Sequence, residues 1–226
     1  GEVLNLSNIA GNVSGWMTSS NYANGVCLGF ELNDNLSIKS VKIEENAPGK
    51  QANASGYKTF DSSRATTENY ESGLTNKTVY KRVNDDGHRY YRITVKDYAG
   101  HTTSMDVDLK LEKTAPKKPT INNTTNGKWV NKNVKLTISS SDDLIGMGEY
   151  YYSYNQNSTA NGTNPSSQWV KLNGGSNKTS FTTEAVWNSN MDRDVYIRAC
   201  DKLGNCSVVN NTKIRIDKTA PSNPTI

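Results

Sequence analysis

The stretch VYIRACDKLGN at residues 195–205 decides the fold. Val195, Ile197 and Ala199 alternate with Tyr196, Arg198 and Cys200, the period-two spacing of a strand buried on one face. Asp201 and Gly204 follow as turn residues. An Asp side chain can accept from its own downstream backbone, and Gly takes the positive φ that closes a hairpin. The same pattern of alternation and turn stands upstream as YRITVKDYAGH at 91–101, with Asp97 and Gly100 each 104 residues before their counterparts. A strand and turn repeated at that distance mark a duplicated module.

Working outward, the duplication extends through both copies in the same order. EKTAPKKPTI at 112–121 returns as DKTAPSNPTI at 217–226, and FELNDNLS at 30–37 returns as ISSSDDLI at 138–145. Lead-ins to Val26 and Val134 also match, the first being longer. Alternation recurs within each copy: Val26, Leu28, Phe30 and Leu32; Tyr91, Ile93 and Val95; Met105, Val107, Leu109 and Leu111; Val134, Leu136 and Ile138. No window holds the three-and-four spacing of an amphipathic helix, and Asn, Ser, Thr and Gly abound, which favour turns over helix. The expected fold is all-β: two tandem antiparallel β-sandwiches, each of about seven short strands. Module one spans 1–116, module two 117–221, and 222–226 begins a linker to a following module.

Composition agrees. Of 226 residues only 34% are hydrophobic, a supply that suits two thin cores better than one large α/β core. No apolar run is long enough for a membrane span, and no basic-then-apolar leader stands at the N-terminus, so the chain reads as an excised segment. A net charge of +4, from 26 basic and 22 acidic residues scattered along the chain, supplies no phosphate-tracking stripe. Nucleic acid is therefore excluded as an expected partner. The paired prolines Pro116/Pro119 and Pro221/Pro224 predict semi-rigid, extended linkers and an elongated pair.

Several of these residues together resemble a known family. The succession WVNKNV at 129–134, SDDLIG at 141–146, YYYSYN at 150–155, Trp169, CDKLGN at 200–205 and IDKTAP at 216–221 is similar to bacterial immunoglobulin-like (Big-type) surface modules. The likeness covers all of copy two and about the last two thirds of copy one. It implies that the fold is two tandem immunoglobulin-like antiparallel β-sandwiches, modules of a secreted or wall-anchored bacterial protein. The stretch ENAPGKQANASGY at 45–57 departs from it, without a counterpart in copy two, and reads as a surface insertion.

Cysteine placement separates three thiols. Cys200 and Cys206 bracket the second turn, where opposed residues of an antiparallel pair come within disulfide range. An oxidised pair is expected there, a reduced pair being the alternative. Zinc would lack ligands, because copy two has no histidine and no further cysteine. Cys27 lies on an outward register and reads as an unpaired thiol.

No catalytic constellation stands out, so no enzyme, cofactor or metal is expected. His88 opens one strand and His101 lies in the turn after it, too far apart to share a site. The acidic pairs Asp85–Asp86 and Asp142–Asp143 precede strands and read as turn residues. One weighed exception is calcium at the module junction, which would draw on Glu112, Asp142 or Asp143, and Asp201. Aromatic residues leave a single opening for recognition: Tyr151, Tyr196 and Arg198 share an outward register on strands expected to be adjacent, and exposed Tyr and Arg suit binding surfaces. The same residues could equally stabilise a sheet. The functional expectation is a monomeric, extracellular or wall-associated bacterial stalk, spacer or adhesion module. Glycans or host extracellular proteins would be its partners. The alternative is a carbohydrate- or protein-binding accessory module of a secreted glycosidase or adhesin.

Overall fold

A computed structural model of the chain describes residues 3–5, 17–18, 24–46, 60–155 and 169–224. Most of the 45–57 insertion and of the first Trp-containing lead-in lies outside them. The chain divides into two compact units, Gly1–Lys113 and Thr114–Ile226, so the division falls three residues before the boundary expected from the sequence. Among the described residues there is no helix, and none long and apolar enough to cross a membrane.

In the first unit the strands are β1 (Val3–Asn5), β2 (Met17–Thr18), β3 (Val26–Asn33), β4 (Ile38–Asn46), β5 (Phe60–Asn69), β6 (Asn76–Val83), β7 (Gly87–Asp97) and β8 (Thr102–Glu112). They form a three-stranded sheet, β1-β3-β6, and a five-stranded sheet, β2-β8-β7-β4-β5. The second unit repeats this order with β9 (Thr120–Asn122), β10 (Trp129–Val130), β11 (Thr137–Ser139), β12 (Met147–Ser153), β13 (Val170–Lys171), β14 (Ser180–Thr182), β15 (Met191–Asp201) and β16 (Asn210–Ile216). Its sheets are β14-β11-β9 and β10-β16-β15-β12-β13. Each unit is thus an all-β sandwich with the strand order of an immunoglobulin-like fold.

Alternation builds the cores. Leu28, Phe30, Ile38, Val41, Tyr91 and Leu109 fill the first, and Leu136, Ile138, Tyr150, Trp187, Ile197 and Ile214 the second. Each core is drawn from both sheets of its own unit. Burying side chains of this size contributes about 1.5–3 kcal/mol apiece.

Three expectations need correction. Pairing is not wholly antiparallel: β1 runs parallel to β3, β2 to β8 and β10 to β16. The incoming chain switches sheets and lies along an edge in the direction of the strand already there, so eight strands replace the expected seven. Met105 is 44% exposed rather than inward, in line with its neighbours, since Thr102–Asp106, the first part of β8, is exposed throughout. Glu45, read as the start of a surface insertion, is only 5% exposed. A register shift between Ile43 and Glu45 turns its side chain inward. There it meets Arg64, and Lys81 at 3.2 Å.

The two diagnostic turns are built alike. In the first, the Asp97 amide donates to the His101 carbonyl and the Gly100 amide to the Asp97 carbonyl; in the second, Asp201, Asn205 and Gly204 make the same two bonds. Gly100 and Gly204 have φ of 98° and 90°, the region that favours glycine. Another glycine is fixed by space. A Cβ on Gly148, at the register shift in β12, would stand 2.2 Å from the Asp201 carbonyl oxygen.

Candidate functional site

The outer face of the second unit's five-stranded sheet carries the residues singled out for recognition. On β15 the outward register is Asp192, Asp194, Tyr196, Arg198 and Cys200. Tyr151 of β12 pairs with Arg198, and Ser153 with Tyr196. Tyr151, Tyr196 and Arg198 are therefore brought onto one face of adjacent strands. Tyr151 and Tyr196 are half-buried.

Arg198 differs from its expected exposure. Only 8% of it is accessible, because Trp169, at the start of β13 and itself 6% exposed, lies over it. The guanidinium carbon stands 4.3 Å from the Trp169 ring centre and 5.4 Å from that of Tyr151. Cation–π attraction of this kind is worth about 2 kcal/mol when desolvated. Burial draws the guanidinium below its ordinary range, and the Tyr151 hydroxyl opposes that shift. Among the described residues Nε and Nη1 of Arg198, and Nε1 of Trp169, are sealed from solvent and meet no acceptor. Sequence reasoning missed Trp169 as a member of this group. Its signal was the alternation from Leu172, which is buried, back to Lys171 and Trp169 on the outer side.

Neighbouring charges on the same face are matched. Lys213 lies 2.8 Å from Asp192 and 3.8 Å from Asp194, and Arg215 lies 3.3 Å from Asp192. The Lys213 hydrogen bond holds the Asp192 carboxyl below its usual value. Glu149 is pushed up by partial burial, but its bonds to Lys171 and Ser176 outweigh this and leave it low.

The first unit offers a different surface on the corresponding sheet. Arg92 of β7 donates to both carboxylate oxygens of Asp106, at 2.8 and 3.0 Å, and stacks on Phe60 at 4.7 Å. His88 bonds Asp108 and lies 3.4 Å from the Tyr90 hydroxyl. Thr94, which corresponds to Arg198, bonds Ser104 instead. His101 is a turn residue whose Nδ1 lies 2.8 Å from Asp97.

Cys200 and Cys206 face each other across an isolated antiparallel bridge and form a disulfide, with Cα atoms 4.1 Å apart. Cys27 is a free thiol. The carboxylates weighed for calcium are divided between the units. Within the second, Asp142 and Asp201 bring oxygens within 4.8 Å. Asp142 Oδ1 accepts from the amides of Leu144, Ile145 and Gly146, and Asp201 Oδ1 from those of Leu203 and Asn205, so both cap turns. Asp143 lies 3.7 Å from Lys117.

Pairing and site together define two all-β sandwich units, the second with an aromatic–arginine group on one sheet face. No family model and no curated protein matches the chain. Among solved structures it is similar to the fibronectin(III)-like modules of Clostridium thermocellum CbhA, with 9% identity, a TM-score of 0.35, and coverage of 93% of this chain and 94% of that one. It is also similar to part of a 1.5-MDa bacterial ice-binding adhesin described for host cell surface retention. There identity is 11%, the TM-score 0.34, and coverage 92% of this chain and 62% of that one. At these scores the likenesses add nothing to the strand pairings, on which the fold rests.

Proposed function

We propose that the chain is a tandem pair of modules from an extracellular bacterial surface protein, serving as stalk or spacer. The observation that carries this reading is the repetition of one eight-strand order in two successive units, each with its own core. Self-contained repeats let the number of units set reach. The Cys200–Cys206 disulfide suits an oxidising exterior. Expression of residues 1–113 and 114–226 separately tests it: each should give a cooperative thermal transition at the temperature it has in the full chain. A unit that fails to fold alone would overturn the reading.

A second reading, compatible with the first, is adhesion through the face at Tyr151, Tyr196 and Arg198, with glycans as partners. It is favoured by the buried guanidinium, which meets no carboxylate among the described residues. Retention of the full chain on immobilised glycans, lost in Tyr196→Ala, tests it.

A further inference from the structure

Arg198 is the feature of the molecule least explained by folding alone. A buried charge needs a partner, because losing hydration costs several kcal/mol that cation–π contact only partly returns. The other buried and half-buried arginines among the described residues each have a carboxylate. Arg92 holds Asp106 in a two-bond fork, Arg64 and Lys81 share Glu45, Arg89 has Asp85 at 3.8 Å, and Lys213 has Asp192. Arg198 has two aromatic rings and no carboxylate, and three N–H-bearing nitrogens in the group, its own Nε and Nη1 and Trp169 Nε1, meet no acceptor among the described residues. The group has donors in excess and positive charge in excess. What it lacks is an anionic acceptor with two oxygens, the form that a guanidinium fork matches.

Position in the sheet says what kind of molecule would bring that acceptor. β15 is the third of five strands, so Arg198 lies in the middle of a face and away from any edge. A peptide that adds as a strand would need an edge. Tyr151 and Tyr196 are half-exposed beside Arg198, and exposed Asn211 pairs with Tyr196. Flat aromatic rings flanked by an exposed amide suit the face of a sugar ring and its hydroxyls. We propose that Arg198, framed by Trp169, Tyr151 and Tyr196, binds the carboxylate of an acidic saccharide. The inference rests on the second reading above and names its ligand class. Because Trp169 covers the guanidinium, a carboxylate approaches along its exposed margin and displaces the indole, so tryptophan emission reports binding.

Affinity electrophoresis and fluorescence titration of the full chain test this, with polygalacturonate, a neutral cellulose ether and poly-L-glutamate as probes. Polygalacturonate should slow migration and change tryptophan emission, the change in emission being lost in Trp169→Phe among the four tryptophans, and the neutral polymer should do neither. Arg198→Gln and Arg198→Lys should each weaken binding about tenfold or more, since the fork and the stack are lost. Lys135→Gln, on an exposed residue, removes the same charge elsewhere and should leave binding within about twofold. Should the Arg198 variants fail to fold, Tyr196→Ala, which removes a half-exposed ring, should still weaken binding. Equal loss in Lys135→Gln, or equal binding of poly-L-glutamate, would overturn the inference as mere attraction to polyanions. Binding of the neutral polymer alone, lost in Tyr196→Ala, would overturn the carboxylate assignment while leaving the adhesive face standing. No binding of any probe would remove both.

Discussion

The turns at Asp97–His101 and Asp201–Asn205 make the same backbone bonds, yet only the second is flanked by a disulfide. In the first unit the positions of Cys200 and Cys206 are held by Lys96 and Thr102, an ordinary ladder pair of β7 and β8. The disulfide is therefore not what shapes the turn. Aspartate and glycine do that in both, and the sulfur bridge is added to a hairpin already specified. The turns also differ in depth. Asp201 is 3% exposed and its two oxygens accept from the Leu203 and Asn205 amides and the Asn205 side chain, whereas Asp97 bonds an exposed histidine.

This comparison can be broken most forcefully at the aspartates. Asp201→Ala strands buried donors and should destabilise the second unit by about 2–4 kcal/mol. Asp97→Ala should lower the first unit's melting temperature by clearly less. Equal shifts in calorimetry would show that depth does not distinguish the turns. Next in size is reduction of Cys200–Cys206. Opening so short a loop should cost about 2 kcal/mol, on a chain-entropy account. The loss should leave the second unit folded, because its twin turn needs no bridge. Unfolding of that unit on reduction, followed by calorimetry with and without reductant, would contradict the inference that the turn is self-sufficient.

A pH series sharpens the contrast further. Hydrogen bonding from the His101 side chain, ahead of the backbone bonds, holds the Asp97 carboxyl below its ordinary 3.8. Its folded pKa is thus lower than its unfolded one. The contribution is present above pH 3.8 and is lost as pH falls through the depressed value. Asp97→Asn should flatten the acid limb of the first unit's stability in melts from pH 6 to pH 2. The smallest effects belong to the glycines. Nothing lies within 4 Å of a Cβ built on Gly100 or Gly204, so alanine at either meets only the backbone penalty. Each should cost about 1 kcal/mol, and the two costs should match. A clear difference in denaturant midpoints would show that the turns are not equivalent.

The repeated turns were legible because their causes are local: an aspartate oxygen and a positive φ act within five residues. Tyr91, Ile93, Val107, Leu109, Ile197 and Ala199 likewise declared their side by alternation. Harder to read were features that depend on residues distant in sequence. The parallel pairings involve two or three residues each, too few to leave a period. Glu45 was hidden by a register shift that breaks alternation, and its partners Arg64 and Lys81 come from two other strands. The recognition face was legible in part. Register placed Tyr151, Tyr196 and Arg198 together, but nothing local to Arg198 foretold that Trp169, 29 residues earlier, would lie over it. Strand period gives the side of a residue. It does not give what lies on top.

The parallel edge pairs have a mechanical consequence. In the second unit β10 and β16 run in the same direction, Trp129 beside Arg215 and Val130 beside Ile216. In the first, β2 and β8 do the same. Tension applied to the chain on either side of a unit pulls the first strand of such a pair backward and the last forward. Their hydrogen bonds are then loaded together in shear, whereas an antiparallel edge peeled from one end breaks its bonds one at a time. A two-residue pair thus resists tension out of proportion to its length.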